Sequence, residues 1–441
     1  MANILNLPNL NIISIKTIRE DGDDVANGIE AESNLKVTQC PECSGSNFIG
    51  HGIHRQLFID VPTLGHRTAL TVLRKRFRCK DCGKTFMEEL PDMDDKRLTT
   101  KRLVTWVNRR CINHMFASVA RDTGLHEKTV RNMFGEYIKE RQKRFKVVTP
   151  RWLGIDEVHL TNEMRCVITN VEHNTAVEMF EYRTQKAVMT ALTTFPNKDR
   201  VELVTMDMWR PYAAVAKLMF PKAKVVIDKF HVVRLASDGM ESARKTISKE
   251  LTEKGRKKML GDRFVLLRHR KDLTLQQELK LEGIIINHPL LKQTHEAKES
   301  FYSIWDAQDK QQAIELYECW RDGIPKEIKP HFKLVLRVME NWNAEIFNYF
   351  DHPITNAYTE CLNGLIKIMS RSGRGYSFDT LRAKILFADD AHKKMRKPLR
   401  ASMGANAIHK SLECGILTEE DIFLDLGTHI PTLLKMLEKE E

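Results

Sequence analysis

The spacing of apolar residues changes along the chain, and each change predicts a different kind of structure. Residues 58–79, "FIDVPTLGHRTALTVLRKRFRC", alternate apolar and polar positions as the strands of a hairpin do. Between residues 98 and 137 the apolar period is helical, and short apolar runs of strand length follow Pro150. One helix face in the middle stretch carries Leu103, Val104, Val107 and Cys111. The pattern predicts a β module, then a helical module, then a domain of strands and helices.

The order of elements in the last domain narrows its fold. The runs "WLGIDEVHL", "MRCVITNV" and "AVEMFEYR" predict three strands at hairpin spacing. A helix, "KAVMTALTTFP", a strand, "VELVTMD", a helix, "PYAAVAKLMFP", and a strand, "AKVVIDKFHV", follow. Alternating helices and strands alone indicate an α/β domain. The opening meander of strands favours the narrower prediction of a ribonuclease H-like domain.

Two aspartates are predicted to meet in this sheet. Asp156 lies in the first strand and Asp207 ends the fourth, and these strands are neighbours in the predicted topology. Adjacent carboxylates repel each other unless a cation lies between them, which predicts a magnesium site. The alternative for each aspartate alone is a strand-end cap. Strand alternation turns the neighbouring Glu157 to the opposite face, so we expect it outside the metal site.

A third metal ligand is expected from a helix later in the chain. In "HPITNAYTECLNGLIK" the apolar residues mark one helix face, and a polar stripe contains Asn356, Glu360, Asn363 and Lys367. A glutamate flanked by carboxamides suits metal coordination together with nucleotide contact. A solvated helix face is the alternative.

Four of the nine cysteines form two CxxC pairs, "CPEC" (Cys40, Cys43) and "CKDC" (Cys79, Cys82). Two such pairs on a β ribbon can hold one zinc ion with four thiolates, and the site would be structural. A redox-active pair is the alternative. On the same ribbon, basic residues flank an aromatic ring, and we predict phosphate contacts for Arg74, Lys75, Arg76 and Arg78. A solvated edge strand would give the same pattern.

The helical stretch contains a pattern typical of a helix-turn-helix. In "FASVARDTGLHEKTVRNMF", Ala120 would lie where two helices cross, Gly124 in the turn and Val130 inside the second helix. The second helix is predicted from about His126 to Tyr137. Its outward residues, predicted to face a DNA groove, are Glu127, Lys128, Arg131 and Asn132, and Arg and Asn are the residue types that read guanine and adenine edges. An ordinary helical hairpin is the alternative.

The distribution of charge supports a polyanionic partner. The formal net charge is +11, and residues 36–150 hold 23 Lys and Arg against 12 Asp and Glu. Residues 1–35 and 411–441 are acidic instead. Basicity concentrated in the early modules indicates nucleic acid, although a solvated basic surface is possible on charge alone. Apolar windows are too short for a membrane span, and a secretory signal is missing at the start, so a cytoplasmic protein is expected.

At this point the motifs resemble a known family. The segments "GIDE", "TMDMWRPY", "DKFHV" and "TNAYTECLNGLIK", followed by "RSGRGY", are similar to those of bacterial insertion-sequence transposases of the ISL-three group. That family is described by a C4 zinc ribbon, a helix-turn-helix and a DDE catalytic domain. The resemblance covers about residues 38–400.

The resemblance implies that Asp156, Asp207 and Glu360 are the catalytic triad, with Asp228 and His231 as a supporting pair. It implies two Mg²⁺ (or Mn²⁺) ions per active site, held by the triad during DNA cleavage and strand transfer. His231 could orient a carboxylate or donate to a phosphate, or it could be a core histidine. Phosphate contacts near the cut are expected from Lys367, Arg371 and Arg374.

The expected architecture is multidomain, α+β and α/β. Its predicted parts are an N-terminal extension (1–35), a C4 zinc ribbon (36–92), a helix-turn-helix domain (93–149), the first part of a ribonuclease H-like catalytic domain (150–231), an α-helical insertion (232–350), the last part of the catalytic domain with the glutamate helix (351–400) and an acidic tail (401–441).

The expected partners are the terminal inverted repeats, target DNA and a second copy of the chain, because two ends must be joined. The expected location is the bacterial cytoplasm, in association with the nucleoid. ATP is not expected, since the chain has no GxxxxGK[ST] segment. Two other functions stay open. One is a DNA-binding regulator derived from a transposase, and the other is a structure-selective nuclease.

Overall fold

Two β-sheets organise the part of the chain that the computed structural model describes, residues 7–19, 25–160 and 163–388. These residues belong to one compact unit. The predicted acidic tail, and the end of the segment predicted as the last part of the catalytic domain, lie outside the described residues.

The first sheet contains the predicted ribbon. Its strands are β1 (Leu10–Arg19), β2 (Val25–Ser33), β3 (Phe48–Thr63), β4 (His66–Cys79), β5 (Thr85–Met87), β6 (Met93–Asp94) and β7 (Thr99–Thr100). Their order is β1-β2-β4-β3-β7-β6, and β5 pairs with β4. The β3–β4 hairpin is antiparallel, whereas β2 runs parallel to β4. Two strands from the predicted N-terminal extension therefore extend the sheet of the ribbon, and Phe58, Leu70 and Val72 are buried within it.

Three helices follow the first sheet: α1 (Lys101–Asn113), α2 (Phe116–Thr123) and α3 (Glu127–Arg144). The Thr100 side chain caps α1, and Gly124 ends α2 with φ +76°, a left-handed conformation that favours glycine. The helix predicted from about His126 is present and continues to Arg144. Val107, Val119 and Val130 are fully buried between the helices.

The second sheet has the predicted order of elements. The strands of this sheet and the helices that connect them are, in chain order, β8 (Trp152–Leu160), β9 (Glu163–Asn170), β10 (Thr175–Phe180), α4 (Gln185–Thr193), β11 (Leu203–Met206), α5 (Arg210–Met219) and β12 (Lys224–Ile227). The strand order is β10-β9-β8-β11-β12. The pairs β8–β9 and β9–β10 are antiparallel, whereas β11 runs parallel to both β8 and β12. The first and fourth strands of this domain are thus neighbours, as predicted.

A long helical stretch separates the sheet from the glutamate helix. It contains α6 (Lys229–Glu250), α7 (Glu253–Gly261), α8 (Arg263–Leu267), α9 (Leu275–Asn287), α10 (Pro289–Ser303), α11 (Lys310–Gly323), α12 (Lys333–Asn341) and α13 (Asn343–Asp351). Trp320, Phe332 and Phe347 belong to the same buried core as the second sheet. Two further helices are α14 (Ala357–Ser372) and α15 (Phe378–Leu386). No helix among the described residues is long and apolar enough to cross a membrane.

A buried lysine on α15 joins the second sheet's domain to the three-helix module. The Lys384 ammonium donates to the carbonyl oxygens of Cys111, Ile112 and His114, where α1 ends. Its Nζ also lies 4.9–5.6 Å from the centres of three aromatic rings, those of Phe116, Phe134 and Tyr376. Burial lowers the pKa of Lys384 to about 8. The carbonyls at the end of α1 are favourable partners for a cation, which explains how the buried charge is tolerated.

Candidate active site and cysteine cluster

The four paired cysteines lie in two tight turns of matching geometry, which we call the cysteine cluster (Cys40, Cys43, Cys79, Cys82). In the first turn the Ser44 N–H donates to the Cys40 carbonyl at 2.9 Å, and in the second the Gly83 N–H donates to the Cys79 carbonyl at 3.1 Å. Both donor residues have positive φ, 59° at Ser44 and 76° at Gly83. Ser44 and Gly83 therefore bend each CxxC pair around its sulfurs.

The sulfur atoms of the cysteine cluster are spaced as a tetrahedral zinc site requires. The Cys40 and Cys82 sulfurs are 3.9 Å apart, and those of Cys43 and Cys79 are 3.6 Å apart. A Zn–S bond of about 2.3 Å gives a tetrahedron with edges of about 3.8 Å. All four sulfurs lie within 4.8 Å of one another, and no histidine among the described residues joins the group. This donor set fits a structural zinc ion.

The second cluster forms where the second sheet meets two helix N-termini, and we call it the acidic cluster (Asp156, Asp207, Asp228, His231, Glu360). Asp156 lies within β8, and Asp207 directly follows β11. Asp228 caps α6 directly after β12, and His231 lies in the first turn of that helix. Glu360 lies in the first turn of α14. The fold thus brings together all five residues that the sequence nominated for catalysis.

His231 lies between the carboxylates of the acidic cluster. Its Nδ1 is 3.0 Å from Asp207 Oδ1 and 3.9 Å from Asp228 Oδ2, and its Nε2 is 3.7 Å from Glu360 Oε1. The close pair of Nδ1 and Asp207 Oδ1 is not aligned as a hydrogen bond, and neither of these buried atoms has a hydrogen-bond partner among the described residues. Both atoms are therefore available to a ligand.

Burial dominates the electrostatics of the two aspartates, and mutual repulsion adds to it. Burial, followed by the charge of Asp207, raises the pKa of Asp156 from 3.8 to about 7. Burial, followed by the charges of Asp228 and Glu360, raises the pKa of Asp207 to about 7 as well. A cation between the carboxylates would remove both penalties. The site therefore has the charge and the free oxygen that a divalent metal requires.

The ligand atoms closest to one another are not those of the predicted magnesium set. Atoms of Asp228, His231 and Glu360 lie within 4.8 Å of one another, and Asp156 and Asp207 are outside that group. Asp228 already accepts two backbone hydrogen bonds, from Phe230 N at 3.1 Å and from Asn356 N at 3.2 Å. It is fully buried, and it ties the first turn of α6 to the start of α14.

Carboxamide and hydroxyl side chains attach the glutamate helix to the sheet, a role that the sequence analysis missed. Asn363 donates to Asp156 Oδ2 at 2.8 Å and to the Glu157 carbonyl at 3.2 Å. The Thr359 hydroxyl lies 2.7 Å from that of Thr169 on β9. A Cβ at Gly154 would overlap Thr169 Oγ1 and lie 2.9 Å from Thr359 Oγ1, so the close approach requires glycine. The polar stripe was visible in the sequence, and its two carboxamides, Asn356 and Asn363, are buried, whereas Glu360 is exposed and Lys367 is half-buried.

Glu157 lies apart from the acidic cluster. Its carboxylate pairs with Arg183 at 2.5 Å. The Arg183 guanidinium in turn lies 5.0 Å from the centre of the Trp209 ring. Glu157 therefore has a structural partner of its own.

The basic residues predicted to contact DNA have different environments. Arg74 is buried, and its guanidinium donates to both carboxylate oxygens of Asp95 and to the Glu88 carbonyl. These contacts occupy the Arg74 guanidinium within the fold, which disfavours the predicted phosphate contact. Arg131 is exposed, pairs with Glu127 at 2.6 Å and stacks on Phe116. The other exposed residues of this set are Lys75, Arg76, Arg78, Lys128, Asn132, Arg371 and Arg374, and Lys367 is half-buried.

Comparisons with known proteins match the chain to two family models and to a transposase. A family model described as a transposase, that of the ISL3 (ISL-three) DDE domain, matches residues 153–385. A second model, described as the zinc-finger of transposase IS204/IS1001/IS1096/IS1165, matches residues 36–82. The chain is 23% identical over 361 residues to the transposase for insertion sequence element IS1001 of Bordetella parapertussis. That match covers 79% of this chain and 87% of the relative.

Proposed function

The chain belongs to the ISL3 family of transposases, and from this we propose that it cuts DNA at the ends of an insertion sequence and joins the freed 3′ ends to target DNA. The observation that carries the proposal is the convergence of Asp156, Asp207 and Glu360, carboxylates from three separate elements, around His231. The strand order of their domain, an antiparallel meander extended by parallel strands, supports a ribonuclease H-like fold.

We assign two magnesium or manganese ions to Asp156, Asp207 and Glu360. The raised pKa values of both aspartates support this assignment, as does Asp207 Oδ1, which accepts no hydrogen bond among the described residues. Carboxylate oxygens are also the ligands that these ions prefer. When bound, such ions would stabilise the attacking and leaving oxygens of a displacement at phosphorus.

The remaining residues of the site position the three carboxylates. His231 faces Asp207 with one ring nitrogen and Glu360 with the other, so it can orient either carboxylate or donate to a phosphate oxygen. Asn363 fixes one oxygen of Asp156 by hydrogen bonding. Asp228 uses both oxygens for backbone N–H groups, so we assign it a positioning role rather than metal coordination.

DNA recognition is assigned to the first sheet and the three-helix module. The zinc ribbon of the family and the α2–α3 pair, read as a helix-turn-helix, would bind the terminal inverted repeats. The exposed side chains that support this assignment are Lys75, Arg76, Arg78, Lys128 and Asn132. Arg131 would join them when it leaves its ion pair with Glu127 and binds a DNA group instead. Near the cut, the phosphate contacts would come from Lys367, Arg371 and Arg374, which follow Glu360 along the chain.

Two further assignments follow from the reaction. Joining two ends requires at least a dimer on the DNA. The place of action would be the bacterial cytoplasm, at the nucleoid.

An assay with a precleaved end tests the proposal. Purified protein, Mg²⁺ and a duplex that ends in the element's terminal repeat should yield joined product with target DNA, and Asp156→Asn should yield none. Hydrolysis without joining would identify a structure-selective nuclease instead. Binding without either reaction would identify a DNA-binding regulator.

A further inference from the structure

A cavity opens directly beside the acidic cluster, and the catalysis proposed above assigns no role to its wall residues Phe230, Arg234 and Ala357. It has a volume of about 350 Å³ and is lined by Phe230, His231, Arg234, Ala357 and Glu360. It lies between the first turns of α6 and α14, so two of its walls are members of the acidic cluster. Ligand sites of drug size begin at about 300 Å³, so this cavity has room for a group such as one nucleobase.

One wall of the cavity is the ring of Phe230, which has the Lys229 ammonium 5.9 Å from its centre and no aromatic ring packed on it among the described residues. Phe230 is 51% exposed, although its backbone is fixed by the hydrogen bond from its N–H to Asp228. The neighbouring aromatic residues behave differently. Tyr212 is buried against Trp209 with ring centres 4.5 Å apart, and Tyr349 packs on Trp305 at 5.6 Å. A fixed, exposed ring next to reactive groups is suited to stacking on a flat ligand.

A cation lies one helical turn beyond that ring. Arg234 is four positions after Phe230 on α6, so both side chains lie on one helix face. It is exposed and has no ion pair with any residue that the structure describes. Arg131 and Arg183, by contrast, each pair with a glutamate. Arg234 is therefore free to bind an anion next to the ring.

From these observations we propose that the cavity binds one unpaired nucleobase of the DNA end, stacked on Phe230, with Arg234 on the adjacent phosphate. The proposal rests on the proposed function, since that function places the scissile phosphodiester at the acidic cluster. Glu360 lies on the wall shared by the cavity and the acidic cluster and is 47% exposed, so a base drawn out of the helix next to the cut would enter the cavity while its phosphate meets the carboxylates. Enzymes that reach a nucleotide in this way draw it out of the helix and stack it on an aromatic side chain.

The first experiment compares end cleavage on paired and unpaired DNA. Phe230→Ala should cleave a fully paired end about 10- to 100-fold more slowly, since stacking on an aromatic ring contributes that much per base. A mismatch at the nucleotide next to the cut should restore most of the cleavage rate that Phe230→Ala loses. Phe230→Trp should retain the wild-type ratio of cleavage rates on paired and mismatched ends. Phe264, another exposed phenylalanine, does not line the cavity, so Phe264→Ala serves as the matched control and should cleave both ends normally.

A second experiment follows the fluorescence of the base next to the cut. A 2-aminopurine placed next to the cut, and bound by Asp156→Asn protein, should change its emission on binding. The change should be lost when Phe230→Ala is added. Arg234→Gln should weaken binding and reduce the salt dependence by about one phosphate contact.

Three results would overturn the proposal. They are normal cleavage of paired ends by Phe230→Ala, an equal loss on paired and mismatched ends, and an emission change that does not depend on Phe230. Wild-type protein that shows the emission change but never cleaves would instead contradict the proposed function and leave the base pocket standing.

Discussion

The cysteine cluster and the acidic cluster both collect side chains that bind metal ions, but they draw them from the chain in different ways. The cysteine cluster uses four identical ligands in two short turns, and each turn is shaped by its own backbone hydrogen bonds. The acidic cluster takes its members from β8, β11, α6 and α14, and its support includes a contact between residues 207 positions apart, Asn363 and Asp156. Local turns define the first site, whereas the packing of α14 against β8 defines the second.

This difference predicts which substitutions should disrupt each site. Removal of any sulfur should open the cysteine cluster, because nothing else closes the tetrahedron. The acidic cluster should respond both to loss of a carboxylate and to loss of the residues that attach α14. The following predictions test the contrast, from the largest expected effect to the smallest.

Cys79→Ser should unfold the ribbon. Structural zinc contributes about 10–16 kcal/mol to the folding of small zinc modules, far more than this sheet can replace. We expect loss of bound zinc, measured by elemental analysis, and rapid proteolysis within residues 36–92. Cys319→Ser changes an exposed cysteine outside the cluster and should leave the zinc content and the resistance to proteolysis unchanged. A Cys79→Ser protein with one zinc per chain and normal resistance would contradict the tetrahedral assignment.

Asp156→Asn should abolish most catalysis while the protein stays folded. Loss of a metal-binding carboxylate removes several kcal/mol of transition-state stabilisation, so end cleavage should fall about 10³-fold. The readout is the rate of strand cleavage and joining, with the melting temperature as a check of folding. Asp199→Asn provides the control, because that side chain is exposed and pairs only with the surface residue Lys222 among the described residues. Wild-type rates in Asp156→Asn would remove the aspartate from the active site.

Asp228→Asn should cause a smaller loss of a different kind. An asparagine offers one acceptor oxygen, so it cannot accept from both Phe230 N and Asn356 N. We expect α14 to lose its anchor and activity to fall about 10- to 100-fold, as for residues that support a metal site indirectly. A magnesium titration separates the roles: Asp228→Asn should regain rate at high Mg²⁺, and Asp156→Asn should not. Failure of both to respond would make Asp228 a direct ligand.

The smallest effect is on the pH dependence of stability. The pKa values of Asp156 and Asp207 are raised to about 7 from 3.8 in the folded protein. The folded form therefore holds protons more tightly than the unfolded chain, so the stabilising contribution is full below about pH 4 and is lost as pH rises through 7. In magnesium-free buffer, Asp207→Asn should melt a few degrees above wild type at pH 8 and at the same temperature at pH 4.

Zinc must stay bound in this experiment, so magnesium is omitted rather than chelated. Addition of Mg²⁺ should raise the melting temperature of the wild type and narrow the difference at pH 8. A constant difference at every pH would show that the carboxylates do not repel each other in the fold.

Much of the difference between the cysteine cluster and the acidic cluster could be predicted from the sequence. The CxxC spacing predicted the cysteine cluster because its geometry is local. The pairing of β8 with β11 brought Asp156 towards Asp207, which the order of strands predicted. The partners of β2 and the anchoring role of Asp228 depend on contacts between distant segments, and no local pattern encodes them. Arg74 is a different case, because inward-facing Thr68, Leu70 and Val72 on β4 lead by strict alternation to position 74. Its burial could have been predicted from that period.

The lysine that joins α15 to the end of α1 has a consequence for where DNA is cut. Lys384 joins the three-helix module to the domain that carries the acidic cluster, and its charge is buried between carbonyls and aromatic rings. If α3 binds the terminal repeat, the number of base pairs between the bound sequence and the cleaved bond is set by the dimensions of the folded protein. A flexible linker would leave that distance variable.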